Sequence, residues 1–75
     1  MATATLLKER ALSLAMAQTD REEALRELEE TSEGHRVAAV LARRKVSEEM
    51  ESGSAPPAAD VAIELLDELL VRLPA

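Results

Sequence analysis

His35 is the only histidine in the chain, and its imidazole is the one side chain whose ordinary pKa lies near neutrality. It could act as a base or as a metal ligand. A zinc site needs three or four such ligands, and there is no cysteine to supply them. Only carboxylates, with Glu30 and Glu33 close by in sequence, or a second copy of the chain could complete one. Ser32, His35 and a neighbouring Glu can be drawn as nucleophile, base and orienter. A hydrolase also needs its serine on a strained turn beside an oxyanion hole, and nothing around Ser32 provides that. The residues read more simply as a surface histidine near a helix boundary. Carboxylates are plentiful, but a chain without a pocket to shift their pKa gives them no acid–base role. Two glycines cannot build a phosphate-binding loop. No catalytic residue, metal or cofactor is expected, and the chain is read as a non-enzyme.

The second cluster with chemical potential is basic. Arg36, Arg43, Arg44 and Lys45 concentrate four cations in a chain whose net charge is −6. Arg36, Arg43 and Arg44 fall near one side of a helix. The first reading is that they neutralise the acidic first half of the fold. Binding of an acidic partner protein comes next, and contact with nucleic acid last. No aromatic residue is present to stack on bases, and the overall charge repels a polyanion. An antitoxin-like dimer that touches nucleic acid through these four residues is therefore the alternative function, not the leading one.

The elements that hold these residues are helical by composition. Seventy-five residues allow one domain, with a modest core. With no Phe, Tyr or Trp, the core must come from Leu, Val, Ile, Met and Ala. That mixture suits close helix–helix packing and suits strands poorly. No apolar run approaches the ~20 residues that span a bilayer. The N-terminal residues show no basic stretch ahead of an apolar one, so no secretory signal is read and a cytoplasmic setting is expected.

Ala62, Leu66, Leu69 and Leu73 recur at steps of four, three and four, widened by Ile63, Leu65 and Leu70. Asp60, Glu64, Asp67, Glu68 and Arg72 take the opposite side. This is an amphipathic helix with a wide leucine face. Upstream, Leu7, Ala11 and Leu14 continue in register through Gln18 and Arg21 to Leu25 and Leu28. Thr3 or Thr5 can cap this first helix. Thr19 with Glu22 is a capping-box pattern that could start a new helix. With no Pro or Gly there to force a break, one long helix is the favoured reading. Between Asp20 and Glu33 seven acids face two bases, a pattern read chiefly as a solvated helix face. Gly34 marks a helix end. The next helix offers Val37, Val40, Leu41, Ala42, Val46 and Met50 as a narrow apolar stripe. Ser52 to Pro57 is a linker, rich in residues that end helices.

The fold expected is all-α, a two- or three-helix antiparallel bundle over residues 4–31, 35–51 and 57–73. It becomes a helical hairpin if Gly34 is absorbed and the first two helices fuse. Such a chain is too thin to shelter the C-terminal leucines completely by itself. The expected function is thus protein–protein interaction, as an adaptor, co-chaperone or regulatory partner. Ala62, Ile63, Leu65, Leu66, Leu69, Leu70 and Leu73, with Leu7, Leu14, Leu25 and Leu28, would hold another helix. Homodimerisation is the simplest form.

The C-terminal layout resembles small bacterial helical partners, such as the co-chaperones of type III secretion needle subunits and the anti-sigma factor that restrains flagellar sigma. Both place a Gly-containing break before a final helix, as Ser52-Gly53-Ser54 does here. Ala55 stands where those proteins carry an aromatic residue. The resemblance implies a helical partner protein and transfers no site residue.

Overall fold

In the computed structural model, which describes residues 2–74, all regular structure is helical. Four helices follow one another: α1 Ala2–Met16, α2 Arg21–Ser32, α3 Arg36–Glu51 and α4 Ala59–Arg72. The all-α class is as expected. The helix count is a correction, because the long first helix breaks after Met16.

The break is a helix-ending motif built without glycine. Gln18 takes the left-handed conformation at φ 55°. Its N–H donates to Ala15 O at 3.1 Å, and Thr19 N–H donates to Leu14 O at 3.1 Å. These two bonds satisfy carbonyls that the last turn would leave orphaned. A straight helix would have put Gln18 and Arg21 on the apolar seam. Turning there folds Leu25 and Leu28 back onto α1, and both are fully buried. The expected caps are corrected too. Thr3 and Thr5 lie inside α1, and Asp20 rather than Thr19 precedes α2, with no side-chain cap bond.

Gly34 is not absorbed into a helix. It sits at φ 77° directly after Glu33 at φ 54°, so two left-handed residues turn the chain between α2 and α3. Ser32 completes this turn from inside the protein. Its buried hydroxyl donates to Glu29 O at 2.9 Å and accepts from Gly34 N–H at 3.4 Å. Gly53, at φ 83°, ends α3 in the same way as Gln18 ends α1: its N–H donates to Met50 O and Ser54 N–H donates to Glu49 O.

Helices α1, α3 and α4 each pack on the other two, and α2 lies against α1 and α4 with little contact to α3. α1, α3 and α4 thus form a mutually packed trio, and α2, which the sequence reading had fused with α1, lies against two of them. The core holds nine alanines, eight leucines and Val46. Alanine lets helix axes approach, and leucine fills the space between them. α3 contributes Ala38, Ala39, Ala42 and Val46. The stripe expected on this helix is corrected accordingly, since Val37, Val40 and Met50 are exposed. The small residues turn inward because a close approach to α1 and α4 leaves no room for larger ones.

The core-facing leucines of α4 are enclosed within one chain. The radius of gyration is 10.9 Å, against about 11 Å for a compact chain of this length. Leu66 and Leu69 are fully buried, and Leu65 and Leu73 nearly so. A fully buried leucine contributes about 1.5–3 kcal/mol, so the C-terminal face provides much of the fold's apolar stabilisation.

Candidate interaction surface

The structure spends the leucine face internally. Of the residues read as partner-binding, Ala62, Leu66, Leu69, Leu7, Leu25 and Leu28 are fully buried, and Leu65, Leu73 and Leu14 almost so. Ile63 and Leu70 are half-buried and pack against the same core. The expectation that this ridge needs a second chain is therefore corrected. The break at Gln18 yields one more helix than the sequence reading supplied, so α1, α2 and α3 all pack on α4.

The basic residues are brought only partly together. Arg36 Nη1 donates to Leu70 O at 2.6 Å, and Arg43 Nε pairs with Asp67. Both cations thus serve the antiparallel neighbour α4 rather than the acidic first half of the chain. Lys45 turns to the α1 side of α3, on a shallow surface it shares with Lys8, Glu48, Glu49 and Ser52. Arg44 and Lys45 are both exposed, and neither has an ion-pair partner among the described residues. His35 is exposed and sits at the N-cap of α3. Among the described residues no group of three or more His, Asp and Glu is arranged to hold a metal ion.

The acidic segment is neutralised from elsewhere. Arg10 on α1 pairs with Glu27 at 3.0 Å, and Arg72 on α4 reaches Glu22 Oε1 and Oε2 at 2.7 and 3.0 Å. Arg21, one of the segment's own two bases, pairs instead with Glu68 of α4. The hydrogen bonds that Arg72 donates to the Glu22 carboxylate hold its guanidinium above its usual pKa, so it remains charged at any working pH. All of these pairs face solvent, where each contributes about 0.2–1 kcal/mol and is screened by salt. A fifth pair, Lys8 Nζ with Glu49 at 3.0 Å, is half-buried between α1 and α3.

Leu6, Met16, Val37, Val40, Met50, Val61 and Val71 are exposed, and Val37 and Val40 share a ridge along α3. Val37 is 63% exposed and Val40 is 38% exposed. Arg44, Ser47, Glu48 and Glu51 continue the same ridge at helical spacing. Leu70 of α4 lines a shallow depression with Val40, Arg43, Arg44 and Glu51. The sequence reading missed this ridge by assigning Val37 and Val40 to the core. Ala38, Ala42 and Val46 do recur at steps of four, but the more hydrophobic Val37 and Val40 mask that smaller stripe in the sequence.

Comparison with protein-family models, curated proteins and solved structures gives no match. The surface is accordingly interpreted from its own geometry. No helix among the described residues is long and apolar enough to cross a membrane.

Proposed function

We propose that this chain is a small non-enzymatic interaction module, an adaptor, co-chaperone or regulatory partner, that folds alone and docks through the outward ridge of α3. The observation that carries the reading is the pair Val37 and Val40, both exposed on one ridge beside Arg44, a cation with no ion-pair partner among the described residues. Two branched apolar side chains offer area that gains from burial, and the adjacent charge sets orientation.

The simplest occupant is a second copy. A two-fold antiparallel pairing of α3 helices about Ser47 apposes Arg44 of each copy to Glu51 of the other. It also carries Val40 towards the exposed Ala55 and Pro57 of the opposite linker. This interface is small, so association is weak, with a dissociation constant on the order of 100 µM or above. The engagement of Arg36 and Arg43 by α4 favours this reading over nucleic-acid contact, since it leaves Arg44 as the one outward cation of the set on this ridge.

Sedimentation equilibrium across a wide concentration range tests the idea. A monomer–dimer equilibrium is expected, and Arg44→Glu abolishes it while leaving the thermal melt unchanged. A strict monomer at millimolar concentration removes the self-association. DNA retardation at moderate salt that Arg44→Glu eliminates would replace it with the nucleic-acid reading.

A further inference from the structure

Three of the twelve residues of α2 are apolar, namely Ala24, Leu25 and Leu28. Five are glutamates. No other helix in the fold is so polar. Its attachment is correspondingly narrow, over α1 and α4 and hardly at all on α3. The three remaining helices pack on one another without it.

Both ends of α2 are held by left-handed residues other than glycine. Gln18 turns the chain in, at φ 55°, and Glu33 turns it out, at φ 54°. Side chains with a Cβ adopt this conformation reluctantly, so each connection releases strain when it opens. Beneath the first connection lies a cleft of about 140 Å³, lined by Leu14, Gln18, Thr19, Arg21, Val61 and Leu65. The hinge that leads into α2 is thus incompletely packed.

The seat of α2 also has a defined electrostatic character. Arg10 on α1 and Arg72 on α4 stand on its two sides, and each takes a glutamate of α2: Glu27 and Glu22 respectively. Between them run buried leucines, Leu14 on α1 and Leu65 and Leu69 on α4. A leucine floor flanked by two arginines, with Glu68 of α4 taking Arg21, suits a mainly acidic amphipathic helix with one leading base and two leucines three residues apart, which is what α2 presents.

We propose that α2 is a releasable cover over a helix-binding groove between α1 and α4, and that the groove accepts an acidic amphipathic helix from a partner when α2 lifts away. The closed state is the resting state. Opening is promoted by salt, because three of the contacts that fasten α2 are solvent-exposed ion pairs. This inference is independent of the α3 ridge, and either can fail without the other. It also returns a binding role to leucines that the closed fold buries, through local rather than global unfolding.

Hydrogen exchange on the intact wild-type chain is the first test. Amides of residues 24–32 are expected to exchange at least ten-fold faster than the most protected amides of α3 and α4. That ratio grows several-fold between 50 mM and 1 M sodium chloride. Exchange of α2 at the same rate as α3 and α4, at both salt concentrations, overturns the proposal. The second test uses a capped peptide of residues 19–34, fluorescently labelled, as the probe for the groove. Full-length Glu22→Lys breaks one fastening pair and retains the helical circular dichroism of the wild type. It is expected to bind the peptide at least five-fold more tightly than the wild type does. Equal affinity for the two proteins, or no binding to either at millimolar peptide, overturns the groove.

Discussion

Arg36 on α3 donates from its guanidinium to the carbonyl oxygen of Leu70, 2.6 Å away on the last turn of α4. The carbonyls at a helix end lack internal partners and carry the negative pole of the helix dipole. A residue at the start of one helix therefore caps the end of its neighbour. Arg43, two turns further along, pairs with Asp67 and fixes the same antiparallel register. The sequence reading set these basic residues first against the acidic first half of the chain, but Arg36 and Arg43 instead hold α4.

Arg36→Ala is accordingly expected to cost about 0.5–1.5 kcal/mol, as loss of an exposed charge-assisted cap. Arg44→Ala, on the outward ridge, is expected to stay within about 0.5 kcal/mol of the wild type. Urea denaturation of the two variants compares them directly. Equal losses would contradict the assignment of Arg36 to α4.

The burial pattern of α4 predicts a steep contrast within one helix. Leu66→Ala removes a fully buried side chain and is expected to cost about 2–5 kcal/mol. For a chain of this size that is a large share of a total stability of about 4–11 kcal/mol. Val71 is 84% exposed, and Val71→Ala is expected to change stability by less than about 0.5 kcal/mol. Thermal melts followed by circular dichroism at 222 nm measure both. Similar melting temperatures for the two variants would mean that the leucine face is not enclosed in the isolated chain.

Backbone conformation supplies a stabilising prediction. Ala58, which leads into α4, holds φ 61°, and Glu33 holds φ 54°. A left-handed residue with a Cβ costs roughly 1–2 kcal/mol, and glycine avoids that at an entropic cost of about 0.5–1 kcal/mol. Ala58→Gly and Glu33→Gly are each expected to raise the stability by up to about 1 kcal/mol, seen as a higher urea midpoint. In the opposite direction, Gly53→Ala introduces the same strain at φ 83°, although its new methyl group would meet no neighbouring atom. A lower midpoint for both glycine gains would show that these connections are not strained.

Ser32 offers a test of the α2–α3 turn. Its hydroxyl relays a bond between Glu29 O and Gly34 N–H in a fully buried position. Ser32→Ala leaves both groups without that partner and is expected to cost about 1–2 kcal/mol. Ser32→Thr retains the hydroxyl and tests whether the bond, rather than the volume, matters. Unchanged stability of Ser32→Ala would place water or a shifted turn at these groups.

Composition and periodicity were enough to establish helices and to locate most of their ends. The absence of aromatic residues, the abundance of Ala and Leu, and glycine at 34 and 53 act locally, so they can be read locally. α4 is legible for this reason: its leucines recur with the helical period, and Pro57 and Pro74 flank it. The inward turn of Ala38, Ala42 and Val46, in place of Val37 and Val40, was decided by tertiary structure, because the spacing between helix axes selects for volume and not for hydrophobicity. The break at Gln18 was decided there too. A glutamine pays about 1–2 kcal/mol to enter the left-handed region, and only the burial of Leu25 and Leu28 against α1 and α4 offsets it. The partners of Arg36 and Arg43 were settled by the same packing, since charge alone does not say which helix lies alongside.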